Sequence, residues 1–67
     1  MSPKRLSRAI KTLRQERGLS QKALAQEVGV TDAYITMLES GKRKNPSLAV
    51  LQRLAKALGV PVTELVG

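Results

Sequence analysis

The chain has 67 residues, with 12 Lys and Arg against 5 Asp and Glu, a formal charge of +7, and neither Cys nor His. Disulfides and the usual zinc ligands are thereby excluded, and five scattered carboxylates offer no acid–base pair or activated nucleophile, so no enzyme, cofactor or metal is expected. A single small basic domain points to a polyanion: nucleic acid first, then an anionic membrane surface or an acidic protein.

Five short helices are predicted, an all-α, compact five-helix bundle. The first opens at Pro3 with Ser2 as its cap. Leu6, Ile10 and Leu13, with Ala9 beside them, mark one apolar face, and Gly18 stops it. Positions 1–18 hold Lys4, Arg5, Arg8, Lys11, Arg14 and Arg17 against Glu16. Ser20 caps the second helix, which buries Leu24, Ala25 and Val28, exposes Lys22, Gln26 and Glu27, and ends at Gly29. Thr31 caps the third, whose inward residues are Ile35 and Leu38, and Gly41 ends it. Between residues 19 and 41 the only cation is Lys22, against Glu27, Asp32 and Glu39.

The basic loop 42–45 follows, and Pro46 and Ser47 start a fourth helix with Leu48, Leu51, Leu54, Ala55 and Leu58 along one side. Gly59 terminates it. A last turn of helix, 62–66, begins after Pro61. With Tyr34 as the one aromatic residue, the core must be aliphatic. No apolar run approaches a membrane span, which, with the lack of Trp and Phe, weakens any membrane-surface role. The absence of Cys fits a reducing cytosol, so a cytoplasmic, nucleoid-associated protein is expected.

Gly29 is the only break between the second and third helices, so they must cross steeply. Such a crossing needs a small residue where the helices touch, supplied by Ala25, and a turn residue tolerant of positive φ, supplied by Gly29. This is a helix-turn-helix pattern spanning residues 20–40, with the second helix of the pair presented outward as a reading element. Winding residues at about 100° each puts Ala33, Thr36, Met37 and Ser40 opposite Ile35 and Leu38, with Asp32 and Tyr34 flanking the strip.

Residues 5–66 resemble the helix-turn-helix domain of the lambda-repressor/Cro-type (XRE) family, through LSQKALAQEVGV at 19–30, ITMLESGK at 35–42, NPSL at 45–48 and LAKALGV at 54–60. The resemblance implies a third helix in the major groove and Gln21 on the DNA backbone. It also implies phosphates held by the loop after the third helix and the start of the fourth: Ser40, Lys42, Arg43, Lys44, Asn45 and Ser47. Family members often pair an arginine of the first helix with the glutamate near the end of the third, here Arg14 with Glu39. The segment with least positive charge can then do the reading, because phosphate contacts position a protein and base contacts specify sequence. Thr31, Asp32, Ala33, Tyr34, Thr36 and Met37 are the expected base-contact set, with Ala33, Met37 and the Thr36 methyl suited to thymine methyls. Plainer roles compete: Asp32 as an acid favoured in a first helical turn, Tyr34 as half-buried packing, the loop cations as mere solvated surface.

Val60, Val62, Leu65 and Val66 either finish the core or form a two-fold interface, and the second is expected. The functional expectation is a sequence-specific binder of double-stranded DNA acting as a small transcriptional regulator, a homodimeric repressor or controller on a two-fold symmetric operator. The alternative is an antitoxin or other protein-interaction module with a toxin or other protein as partner. The ending soon after the fifth helix, without the added tail expected for a toxin, favours the regulator.

Overall fold

The computed structural model describes residues 3–43 and 45–66; Ser2, the expected first cap, and Lys44 lie outside them. The helices are α1 Pro3–Glu16, α2 Gln21–Val28, α3 Asp32–Ser40, α4 Leu48–Leu58 and α5 Thr63–Val66. Three start on hydroxyl caps, Ser20 and Thr31 as the sequence predicts. Ser20, Thr31 and Ser47 each accept a hydrogen bond from the backbone N–H three residues on, at Ala23, Tyr34 and Val50. Pro46, expected inside the fourth helix, precedes it and is buried.

A repeated device ends three helices. Gly18, Gly29 and Gly59 are each followed by an aliphatic residue whose N–H reaches back to the last turn: Leu19 to the Arg14 carbonyl, Val30 to Ala25 and Val60 to Ala55, all at 3.0 Å. These are Schellman-type ends, and Leu19, Val30 and Val60 pack half-buried against the core as that motif requires. The end of α3 departs from the pattern. Gly41 takes φ 83° as a C-cap, but Lys42 follows it, and the next backbone bond runs from the Arg43 N–H to the Met37 carbonyl at 3.1 Å. With no apolar residue to draw it inward, the chain leaves α3 along the surface, and Lys42 and Arg43 are exposed.

Among the described residues, twelve aliphatic ones form the core, drawn from all five helices, with Ile10, Leu24, Ile35, Leu54 and Leu65 completely inaccessible. Helix α2 packs chiefly on α3 and α4, while α1 supports α3, α4 and α5. Thus α1 and α2 form the floor beneath α3, and α4 flanks them from elsewhere.

Two sequence expectations fail here. Leu48 falls on the heptad-like stripe of α4 yet is 65% exposed. It is the first residue of the helix and projects past the end of the core, whereas Leu51, one turn on, is buried. Leu65, expected at a two-fold interface, is 0% exposed within one chain and completes the core between α1, α4 and α5. Val60, Val62 and Val66 keep part of their surface.

The contrast is measurable. Leu65→Ala is expected to cost about 2–4 kcal/mol in urea denaturation, by an amount independent of protein concentration. Leu48→Ala should change stability by less than about 0.5 kcal/mol.

Candidate nucleic-acid interface

The exposed side of α3 presents Asp32, Ala33, Thr36 and Ser40, with Met37 and Tyr34 half-buried at its edges. This is the strip the helical winding predicts, except that Met37 is partly covered. Ile35 and Leu38 on the opposite side are sealed in the core, so the helix cannot rotate without exposing them. The strip is electrically quiet. Asp32 is its one charge, and its Oδ1 accepts from the Ala33 N–H at 3.1 Å, folded onto the first turn where a carboxylate is favoured. The Thr31 hydroxyl is committed to capping α3 through the Tyr34 N–H at 3.1 Å.

Beneath the strip lies a polar network that fixes α3 on α1 and α2. Glu39 accepts from Arg14 twice, Nε to Oε2 at 2.6 Å and Nη2 to Oε1 at 3.0 Å. This is the fork geometry that Arg and carboxylate favour. The third guanidinium nitrogen, Nη1, donates to the Leu19 carbonyl at 2.8 Å and ties in the α1–α2 turn. Both side chains are nearly out of water, 11% exposed for Arg14 and 5% for Glu39. The hydrogen bonding that Arg14 donates to Glu39 outweighs burial and raises the arginine above its ordinary pKa. The raised pKa of the arginine contributes stability that is present at neutral pH and is lost as pH rises through it.

Gln21 extends the network to the surface. Its Nε2 donates to Glu39 Oε1 at 3.1 Å, and its Oε1 accepts from the Thr36 hydroxyl at 3.0 Å. Gln21, expected on the DNA backbone, is a half-buried bridge within the protein and keeps one N–H hydrogen to spare.

Cations border the strip. From the loop, the Arg43 guanidinium stacks over the Tyr34 ring, 4.9 Å from its centroid, so its charge is carried back along α3. Ser40 donates to the Met37 carbonyl and accepts from the Lys42 N–H at 3.4 Å, shaping the exit. Asn45 and Ser47 are exposed beyond it. From the other side, Ser7, Arg8 and Lys11 of α1 line a shallow depression together with Glu39. Lys11 was missing from the expected phosphate contacts, although a signal existed: Ser7, Lys11 and Arg14 share one helical face, and Arg14 anchors that face to α3.

Other cations have structural work. A side chain at Gly59 would meet Arg17 Nη1 at 2.5 Å, so that guanidinium lies over the left-handed C-cap of α4, where a cation complements the helix dipole. Arg17, Arg53 and Lys56 share a depression with Glu27 between the ends of α1 and α2 and the side of α4.

Among the described residues, no group of His, Cys, Asp and Glu is placed to hold a metal ion. No helix there is long and apolar enough to cross a membrane.

The helix-turn-helix family model matches residues 10–65, from the middle of α1 through α5. The chain belongs to the helix-turn-helix family. It is 41% identical over 58 residues to the immunity repressor protein of Bacillus phage phi105, covering 87% of this chain and 40% of that repressor; the chain thus spans less than half the length of that relative. The restriction-modification controller protein C.AhdI from Aeromonas hydrophila superposes with a TM-score of 0.88 at 35% identity, covering 94% of both chains. SinR, a master regulator for biofilm formation solved in complex with DNA, gives a TM-score of 0.88 at 32% identity, covering 92% of this chain and 98% of that one. SinR from Bacillus subtilis is also a sequence relative, and SinR has been solved with the protein SinI.

Proposed function

We propose that this protein is a transcriptional regulator that binds double-stranded DNA sequence-specifically, with α3 in the major groove. One observation carries the reading: an immobilised helical face that holds no cation of its own, with cations brought to its borders from two other segments. Lys42 and Arg43 on one side, and Arg8 and Lys11 on the other, would neutralise phosphates, and Lys44, next in the sequence, is proposed to add to them. Gln21 and Ser47, each at a helix start, would add neutral backbone contacts, with Ser40 and Asn45 beside them. Between them Ala33, Thr36, Met37 and Tyr34 would meet base edges, with Thr31 and Asp32 at the helix start. A repressor or controller role is supported by the names of the relatives.

A homodimer on a two-fold symmetric operator is part of the proposal. One domain measures 25 Å in its longest dimension, less than the ~34 Å between half-sites one DNA turn apart, so a full-turn operator calls for two copies. Val60, Val62 and Val66, clustered around α5 with surface to spare, are the residues proposed to join them. Selection of bound sequences from a random duplex pool is expected to return an inverted repeat. Enrichment of an asymmetric site of half that length would remove the dimer from the proposal, and no enrichment would remove DNA reading altogether.

Capture of another protein, as in the SinR–SinI pair, is the second reading. The same valines would serve it, and equilibrium sedimentation separates the cases. A chain that stays monomeric at micromolar concentration, both alone and on its selected site, favours a foreign partner there.

A further inference from the structure

We infer that Thr36 presents only a hydrogen-bond acceptor to DNA, so that it selects base edges carrying an exocyclic amino group, adenine N6 or cytosine N4. The inference rests on the DNA-binding reading and adds a polarity to it. A threonine hydroxyl ordinarily both donates and accepts, and by itself pairs with either kind of base edge. Here the ambiguity is removed from inside the protein.

The chain of reasoning begins at Glu39. Its carboxylate oxygens take both arms of the Arg14 fork and can only accept. The Gln21 amide beside it must therefore turn its NH2 toward Glu39 Oε1, 3.1 Å away, because the flipped amide would set two acceptors against each other. That orientation commits Gln21 Oε1 to Thr36, 3.0 Å from its hydroxyl oxygen. The other internal neighbour of the hydroxyl is the Asp32 carbonyl at 3.1 Å, again an acceptor. Thr36 has one proton and two internal groups able to take it, and neither can donate in return. Whichever receives the proton, the lone pairs of Oγ1 remain to face outward from an exposed position on the reading strip. A cytosine or adenine amino group can donate to them; guanine O6, guanine N7 and thymine O4 cannot. Gln21 is a positioning residue in this scheme, acting on the base through Thr36.

The test combines side-chain deletion with base-atom deletion. Random-pool selection with the full chain and with Thr36→Val, which replaces the hydroxyl by a methyl on an exposed position, is expected to differ at one base pair per half-site. Two modified duplexes are then made at that pair. One lacks the amino group (purine for adenine, or 2-pyrimidinone for cytosine), and the other lacks an acceptor, with 7-deazapurine replacing the purine. The unmodified protein should lose roughly threefold to tenfold in affinity when the amino group is removed, and Thr36→Val should be indifferent to it. Removing the acceptor should affect both proteins alike. Gln21→Met should shrink the amino-group effect at that same pair, beyond any uniform weakening on all sequences.

A Thr36-dependent loss on removing N7, or a Thr36→Val selection identical to that of the unmodified protein, overturns the polarity assignment. Uniform weakening alone in Gln21→Met overturns the relay through Glu39. A pool yielding no enriched sequence for the unmodified protein defeats the DNA reading itself, an outcome distinct from these.

Discussion

Glu39→Ala is expected to lower stability by about 3–5 kcal/mol, the cost of removing one partner from a buried ion pair. Small domains are stable by only about 5 kcal/mol or a little more, so the variant should be largely unfolded near 37 °C by circular dichroism. The magnitude follows from what the carboxylate leaves behind. Arg14, 11% exposed, would keep a full positive charge with only the Leu19 carbonyl as partner, and Gln21 would lose the acceptor for its Nε2. The attraction between the pair is not itself the source of that energy, because burying two charges costs nearly as much as their contact returns. Removing both partners should therefore be milder than removing one. Arg14→Met with Glu39→Met is expected to be more stable than Glu39→Ala in urea titration. A double variant at least as unstable as Glu39→Ala would mean that the pair contributes net attraction rather than merely avoiding an uncompensated charge.

The largest effect on binding is expected from Lys42, Arg43 and Lys44. Each phosphate-neutralising cation contributes about 0.9 to the slope of log affinity against log salt. Replacing all three by alanine should reduce the magnitude of that slope by nearly 3 per bound protomer. On a site holding two protomers, affinity at moderate salt should fall by more than about 100-fold, with the sequence preference retained at positions read by α3. The measurement is a titration of the selected duplex from about 50 to 300 mM salt. An unchanged slope would assign the three cations to solvent. The companion substitution Arg17→Ala should leave the slope nearly intact, because that guanidinium lies over the C-cap of α4. Net charge therefore overstates the number of cations available to DNA, and their placement decides which ones count.

Much of the architecture was written in local signals. Serine and threonine caps, glycine followed by leucine or valine, and apolar residues three and four apart each act within one turn of helix. The order of five helices and the outward strip of α3 could accordingly be read without tertiary information. So could the exposed basic loop, since Lys42 occupies the place where Leu19, Val30 and Val60 anchor the other helix ends. The Arg14–Glu39 pair was foreseen only through a family resemblance, as nothing local connects residues 25 apart.

What the tertiary structure decided has a common cause: each feature depends on where one element ends relative to another. Leu48 fits its helical stripe but lies beyond the core's edge, so periodicity misplaces it. Leu65 is covered by α1 and α4, which a short final helix cannot announce, so an apolar cluster suggestive of an interface is split between core and surface. The Gln21 amide is oriented by a carboxylate brought from α3, and Arg43 is drawn onto Tyr34 by the path of the loop. Sequence determined the helices and the sign of their surfaces because caps and periodicity are short-range. Packing alone determined which hydroxyl faces outward as an acceptor, because a proton's direction is set by neighbours that only the fold brings within 3 Å of each other.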